Sequence, residues 1–172
     1  MDTQLLANPD LCTGCNRCTY ACSAARKGVF RPSAARVQVS NFPLRGYAVP
    51  SICFQCPKAA CQESCAAGAM SRSEAGAVVV DPAKCTGCGL CVKACPYGMI
   101  ELDEAEKAGK CDYCGGDPAC VKECHAAALQ FAAPDYELLR HKAAQMKNRS
   151  SQGSPREKRH HLAEKLMKQA RS

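Results

Sequence analysis

The sequence predicts a small α+β protein organised by cysteine, with a helical C-terminal extension. Three observations carry this. Sixteen of the 172 residues are cysteine, in four runs of four. Short helices are expected through the last cysteines of a run, and strand-like pieces follow. Leu, Ile, Val and Phe together number 26 of 172 residues, below the roughly 20% under which a charged chain is expected to stay disordered. The hydrophobic fraction of 47% counts sixteen thiols and 28 alanines, and there is no Trp. Something other than apolar burial must hold this chain together, and the cysteines are the candidates.

The runs are Cys12-x2-Cys15-x2-Cys18-x3-Cys22, Cys53-x2-Cys56-x4-Cys61-x3-Cys65, Cys85-x2-Cys88-x2-Cys91-x3-Cys95-Pro96 and Cys111-x2-Cys114-x5-Cys120-x3-Cys124. The third matches the bacterial iron–sulfur run including its proline, in which three thiolates hold one cubane and the fourth ligates a neighbour. Four such runs supply four [4Fe–4S] clusters, with all sixteen cysteines as ligands. Zinc sites commonly pair Cys-x2-Cys motifs across a long spacer, which this fourfold repetition does not do. Disulfides do not suit the reducing compartment expected below. Glycines in Thr13-Gly14 and Thr86-Gly87-Cys88-Gly89 are expected where backbone passes close to inorganic sulfide. Gly115-Gly116-Asp117-Pro118 reads as a turn-forming insert in the fourth run.

Helices are expected over Arg17–Ala25 and Ala119–Ala126. Strand-like pieces are Arg36–Val39, Ala66–Met70, Ala77–Asp81, Pro96–Leu102 and Ala128–Phe131. Residues 53–102 resemble a complete two-cluster bacterial ferredoxin. Residues 12–131 resemble the four-cluster ferredoxin subunits of multi-subunit oxidoreductases, which include partners of molybdopterin and tungstopterin enzymes and of some hydrogenases. The resemblance implies two interleaved bacterial two-cluster ferredoxin-like modules, one inserted in the other. Residues 1–52 and 103–133 form the outer module, 53–102 the inserted one and 134–172 a basic helical tail. The implied ligand sets are Cys12, Cys15, Cys18 with Cys124; Cys111, Cys114, Cys120 with Cys22; Cys53, Cys56, Cys61 with Cys95; and Cys85, Cys88, Cys91 with Cys65. Sequential pairing, first run with second and third with fourth, remains the rival. It uses the same sixteen ligands.

The run Cys111-Asp112-Tyr113-Cys114-Gly115-Gly116-Asp117-Pro118-Ala119-Cys120-Val121-Lys122 is most similar to iron–sulfur subunits accompanying tungsten-dependent aldehyde oxidoreductases. One departure from the family stands out. Among the fourth cysteines of the runs, proline follows only Cys95, whereas Ser23, Ala66 and His125 follow the others. His125 reads either as a residue that tunes a cluster or carries a proton, or as an exposed turn residue.

The first residues carry no basic region followed by an apolar run, and no stretch reaches the roughly 18 apolar residues of a membrane span. A cytoplasmic protein is expected. The net charge of +7 is uneven. Residues 140–172 carry ten Lys/Arg against Glu157 and Glu164, while residues 1–139 are close to neutral. This tail divides into a helix opened by Pro134-Asp135 and running to about Lys147, a Ser/Gly linker, and a helix capped by Ser154-Pro155. The second helix bears a narrow stripe of Leu162, Leu166, Met167 and Ala170. The tail is expected to dock on a partner or another copy of the chain, or to stay solvated. Its removal after Ala133 is expected to leave the iron content unchanged.

No Gly-x-Gly-x-x-Gly or phosphate-binding loop is present, and no catalytic constellation survives the ligand assignment. No catalytic residue is assigned, and the chain is read as non-catalytic by itself. Its expected role is to relay electrons between a catalytic pterin–metal subunit, aldehyde-oxidising by the resemblance, and a donor or acceptor subunit such as a flavoprotein. The alternatives are a hydrogenase or formate dehydrogenase subunit and a freely diffusing polyferredoxin. A nucleic-acid role would use the tail electrostatically, but the tail lacks aromatic interleaving for base stacking.

Overall fold

The computed structural model describes residues 3–170. In chain order the elements are β1 (Gln4–Ala7), α1 (Arg17–Lys27), β2 (Gln38–Phe42), β3 (Tyr47–Ser51), α2 (Ala60–Glu63), β4 (Met70–Arg72), β5 (Val78–Val80), α3 (Leu90–Ala94), β6 (Glu101–Leu102), β7 (Ala108–Gly109), α4 (Ala119–Lys122), β8 (Leu129–Ala132), α5 (Tyr136–Lys147) and α6 (Pro155–Gln169). This is an α+β arrangement. The strands form four two-stranded antiparallel sheets, β1–β8, β2–β3, β4–β5 and β6–β7. Among the described residues no helix is long and apolar enough to cross a membrane.

The β1–β8 pair closes the body of the chain. Its register runs from Gln4↔Ala132 to Ala7↔Leu129, joining segments that flank all sixteen cysteines. Leu5, Leu6 and Leu129 are buried beneath it. Reading the N-terminal residues only for a leader overlooked β1. Reading β2 as Arg36–Val39 placed it two residues early and missed its partner β3. Pro50 argues against a central strand, yet it sits opposite Val39 in a two-stranded ribbon, where a missing donor costs little. The hairpin turns through Pro43-Leu44-Arg45, with Gly46 left-handed at φ 57°.

The helices follow local rules. Gly28 ends α1 in the left-handed conformation and its N–H reaches Ala24 O. Helix α4 is a single turn rather than the eight residues expected, and the chain passes into a turn with Ala127 at φ 52°. Asp135 caps α5 by accepting from the Leu138 N–H. Ser154 and Glu157 form a full capping box on α6, with Pro155 at its first position.

Two apolar clusters make the core, and cysteines belong to both. One gathers Val49, Phe54, Met70, Val78, Met99 and Ile100 with Cys53, Cys61, Cys91 and Cys95. The other gathers Leu5, Val37, Ile52, Tyr113 and Leu129 with Cys18, Cys22 and Cys120. The C-terminal stripe enters the first cluster. Leu162 and Ala163 are 0% exposed and Leu166 is 6% exposed. The expectation that this stripe faces a partner or a second copy is therefore corrected for Leu162 and Leu166, which the chain's own body covers, while Ala170 stays exposed. A short helix with a narrow apolar stripe is marginal in water, and here β3 and the α3 region supply the surface it lacks. The Nζ of Lys158 donates to the carbonyls of Lys93 and Cys95, and the guanidinium of Arg159 donates to Gly98 O and Glu101. Gly98 permits this seat, because a Cβ there would lie 2.1 Å from Pro155 O.

The expectation that tail removal leaves the iron sites untouched changes accordingly. Leu162→Ala should cost about 2–5 kcal/mol, as for other buried Leu truncations. Leu139→Ala on the exposed face of α5 should cost under about 0.5 kcal/mol. Guanidinium denaturation followed by visible absorbance checks the pair, and equal midpoints would show that α6 is not seated on the core.

Candidate metal centre

The cysteine loops are built from left-handed residues. Gly14 and Asn16 take φ 72° and 60° in the first run, Gln55 47° in the second, Gly87 and Gly89 74° and 72° in the third, and Cys114 and Gly115 52° and 70° in the fourth. Left-handed residues within a turn let neighbouring backbone N–H groups line a concave face. The glycines also have a packing reason that the sequence does not display. A Cβ on Gly14 would meet Asn41 Oδ1 at 2.4 Å, and one on Gly87 would meet the Glu106 carbonyl at 2.6 Å.

The thiols gather in four neighbourhoods. Cys12 and Cys18 each interact electrostatically with Cys15 and Cys124. Cys120 interacts with Cys111, Cys22 and Cys114. Cys56 and Cys61 each interact with Cys53 and Cys95. Cys91 interacts with Cys85 and Cys65, while Cys88 stands at the surface of the same loop. Hollows in the fold are lined by Cys12, Cys15, Cys18 and Cys124, by Cys22, Cys111, Cys114 and Cys120 together with Cys53, and by Cys53, Cys56, Cys61 and Cys95. The neighbourhoods are also linked to each other. Cys120 senses Cys18, Cys111 senses Cys53, and α2 packs on α3 between the last two groups. Cys15 and Cys88, in the groups at opposite ends of this series, are the two exposed thiols among the described residues.

Each fourth cysteine accepts a backbone N–H on sulfur. Arg36 donates to Cys22 at 3.2 Å, Ala69 to Cys65 at 3.3 Å, Met99 to Cys95 at 3.4 Å and Leu129 to Cys124 at 3.3 Å. The three residues that replace the family proline leave this pattern intact. Ser23 is fully buried, its hydroxyl donating to Tyr20 O and accepting from the Arg31 N–H. His125 is an exposed turn residue at the rim of the first hollow.

Burial opposes the thiolate form. It is the largest cause raising Cys18 and Cys61 to about 11, and it pushes Cys111 and Cys120 higher still. Desolvated thiols of this kind ionise when a cation group compensates them. Among the described residues, no three His, Cys, Asp or Glu side chains close on a single-ion point. A cubane asks for something different, one thiolate on each of four irons. The donor set fits such a cluster: all sulfur, in groups of four, with backbone N–H groups aimed at them.

The 4Fe–4S dicluster domain family matches residues 44–133, and a 4Fe–4S binding domain matches residues 9–25. The polyferredoxin-like subunit of an aliphatic sulfonate oxidoreductase from Pyrococcus furiosus is 42% identical over 142 residues, covering 78% of this chain and 80% of the relative. This chain belongs to the 4Fe–4S dicluster family. As a family member it is an iron–sulfur electron-transfer protein of the polyferredoxin-like type, non-catalytic by itself. A second relative, the thiosulfate reductase electron transfer subunit PhsB of Salmonella typhi, is 34% identical over 76% of each chain. Among solved structures, the BamBC complex of benzoyl coenzyme A reductase with benzoyl-CoA aligns at 22% identity and TM-score 0.46, covering 87% of this chain and 91% of that one.

Sequence reasoning missed one feature of this iron–sulfur protein. Lys110 is 6% exposed, and its Nζ donates to Gln55 Oε1, Val78 O and Cys111 O. Nothing in the local pattern separates this lysine from a solvated one. It is a chain-fold property, set by the distant Gln55 and Val78.

The glycine geometry gives a discriminating prediction. Both Gly87→Ala and Gly89→Ala force a left-handed alanine, at roughly 1–2 kcal/mol. Only Gly87→Ala also meets backbone, at Glu106. Gly87→Ala should therefore lose its visible chromophore at lower temperature than Gly89→Ala. The reverse order would contradict the packing described.

Proposed function

We propose that this chain holds four [4Fe–4S] clusters in a row and relays electrons between a catalytic pterin–metal subunit and a second redox subunit such as a flavoprotein. The observation that carries the reading is the grouping of fifteen of the sixteen thiols into four linked neighbourhoods, with Cys88 on the loop of the fourth. The ligand sets are Cys12, Cys15, Cys18 with Cys124; Cys22 with Cys111, Cys114, Cys120; Cys53, Cys56, Cys61 with Cys95; and Cys65 with Cys85, Cys88, Cys91. Support for this nested scheme comes from the β1–β8 ladder and the packing of α1 on α4, which bring the first and last runs together. On this reading residues 1–52 and 103–133 form an outer module around 53–102, and the tail completes the core.

A bound [4Fe–4S] cluster takes up and releases one electron at a time. The chain's residues supply the rest. The cysteines fix position. The N–H groups of Arg36, Ala69, Met99 and Leu129 hold charge on sulfur. Leu162 and Leu166 help exclude water on the α6 side of the core. Cys15 and Cys88 mark the two ends at which partners would approach.

The aldehyde-oxidising tungsten partner rests on the resemblance of residues 111–122. The sulfonate oxidoreductase relative gives the second reading, in which the partner enzyme acts on an aliphatic sulfonate. Co-purification from the native cell, with metals and flavin assayed, separates these. Tungsten or molybdenum with aldehyde-dependent reduction of the chain supports the first. Sulfonate-dependent reduction supports the second, and nickel contradicts both.

The cluster number has its own check. About sixteen iron and sixteen acid-labile sulfide per chain are expected from four cubanes, and the brown colour should bleach on reduction. Stoichiometric zinc without sulfide would sink the assignment.

A further inference from the structure

The basic charge of this protein is not all on its surface. Lys110 and Lys158 are 6% and 2% exposed. The ammonium of Lys110 is shared among Gln55 Oε1 at 2.7 Å, Val78 O at 2.9 Å and Cys111 O at 3.4 Å. That of Lys158 lies 3.0 Å from both Lys93 O and Cys95 O. Lys142, half-buried on α5, donates to Gln4 Oε1 at 2.6 Å, and the charges that act on it are those of Cys56 and Cys53. None of the three is paired with a carboxylate among the described residues. A buried charge is normally paired or bound to a metal, so Lys110 and Lys158 call for a compensating anion.

All three act on one group of thiols, and Lys110, which lines that group's hollow, is shared with the second group through Cys111. Lys110 acts on Cys56 and Cys61, Lys142 on Cys53 and Cys56, and Lys158 holds the carbonyl of Cys95. The other groups are treated differently. Near the first, Arg17 is paired with Glu123, and near the second, Arg26 is paired with Asp112. At the fourth, Lys84 meets Asp81, and a single partly exposed lysine, Lys107, donates to Cys85 O. These three lysines come from the segment before Cys111, α5 and α6, while the hollow of the second group is lined by Arg26 and Arg36. Two of the three lysines thus lie in the tail, which packs on the core instead of extending from it.

We propose that Lys110, Lys142 and Lys158 make the cluster held by Cys53, Cys56, Cys61 and Cys95 the highest-potential centre of the four. The proposal rests on the cluster assignment above. Reduction adds one electron, and so one negative charge, at that site. A desolvated cation stabilises the reduced form more than the oxidised form, and low local dielectric keeps the effect large. The tail thereby acts on the electron path, setting where an electron rests within the row.

The test is a dithionite titration of the full-length, anaerobically reconstituted chain, followed by electron paramagnetic resonance. Lys110→Gln and Lys142→Gln should each lower the highest midpoint, by about tenfold in the reduced-to-oxidised ratio, which is 59 mV for one electron. The same signal should be the one altered in Cys61→Ser, and Lys110→Arg should keep the wild-type midpoint. Should Lys110→Gln lose iron, Lys142→Gln and Lys158→Gln carry the test from separate elements. Unchanged midpoints in fully loaded glutamine variants overturn the proposal, as does a shift confined to a lower-potential centre in Lys142→Gln and Lys158→Gln. A wild-type chain lacking the third cluster overturns the assignment beneath it, and iron analysis detects that before any lysine is changed.

Discussion

The constraint on which this structure depends is the shortage of aliphatic side chains. With 26 Leu, Ile, Val and Phe residues in 172, the chain cannot offset the conformational entropy of folding by apolar burial alone. It puts thiols into the core instead. Both apolar clusters are laced with cysteine, and seven of the sixteen cysteines are buried outright. Buried thiols are poor thiolates, as the upward shifts of Cys18, Cys61, Cys111 and Cys120 record. Iron–sulfur binding supplies the missing term, because it favours ionised sulfur and cross-links segments that no continuous sheet connects.

The secondary structure is subordinate to that constraint. Among the described residues no sheet exceeds two strands, α2 and α4 are single turns, and left-handed residues stand beside cysteines in all four runs. These pieces would not persist alone. The closures that matter are long-range: β1 against β8, α1 against α4, and α6 against β3. Each carries cysteine-bearing loops into register or seals a side of the core around them. The C-terminal helices share the task. They bury Leu162 and Leu166, cap the carbonyls of Lys93 and Cys95, and bring positive charge beside sulfur.

Much of this was legible in the sequence because cysteine spacing and cap chemistry are local signals. The α1 start at Arg17, the existence of the β4–β5 hairpin and the Ser154-Pro155 cap at the head of α6 follow from neighbouring residues, although β4 occupies Met70–Arg72 and not the expected Ala66–Met70. What escaped depends on distant partners. Residues Gln4–Ala7 are too short to read as a strand without Leu129–Ala132 beside them. Pro50 disguised β3, which is tolerated only because its sheet has two strands. The destination of the Leu162 stripe could not be read from a helix period, since a stripe names a need for cover and not its source. Lys110 and Lys158 look like solvated lysines until Gln55, Val78 and Cys95 are placed around them.

The central claim is that metal clusters, and not apolar packing, hold this chain in its fold. Anaerobic removal of iron, followed by two-dimensional NMR of the amide groups, tests it most directly. The account predicts that amide dispersion collapses to that of a disordered chain and returns on reconstitution with iron and sulfide. A metal-free chain that keeps a well-dispersed spectrum would contradict it.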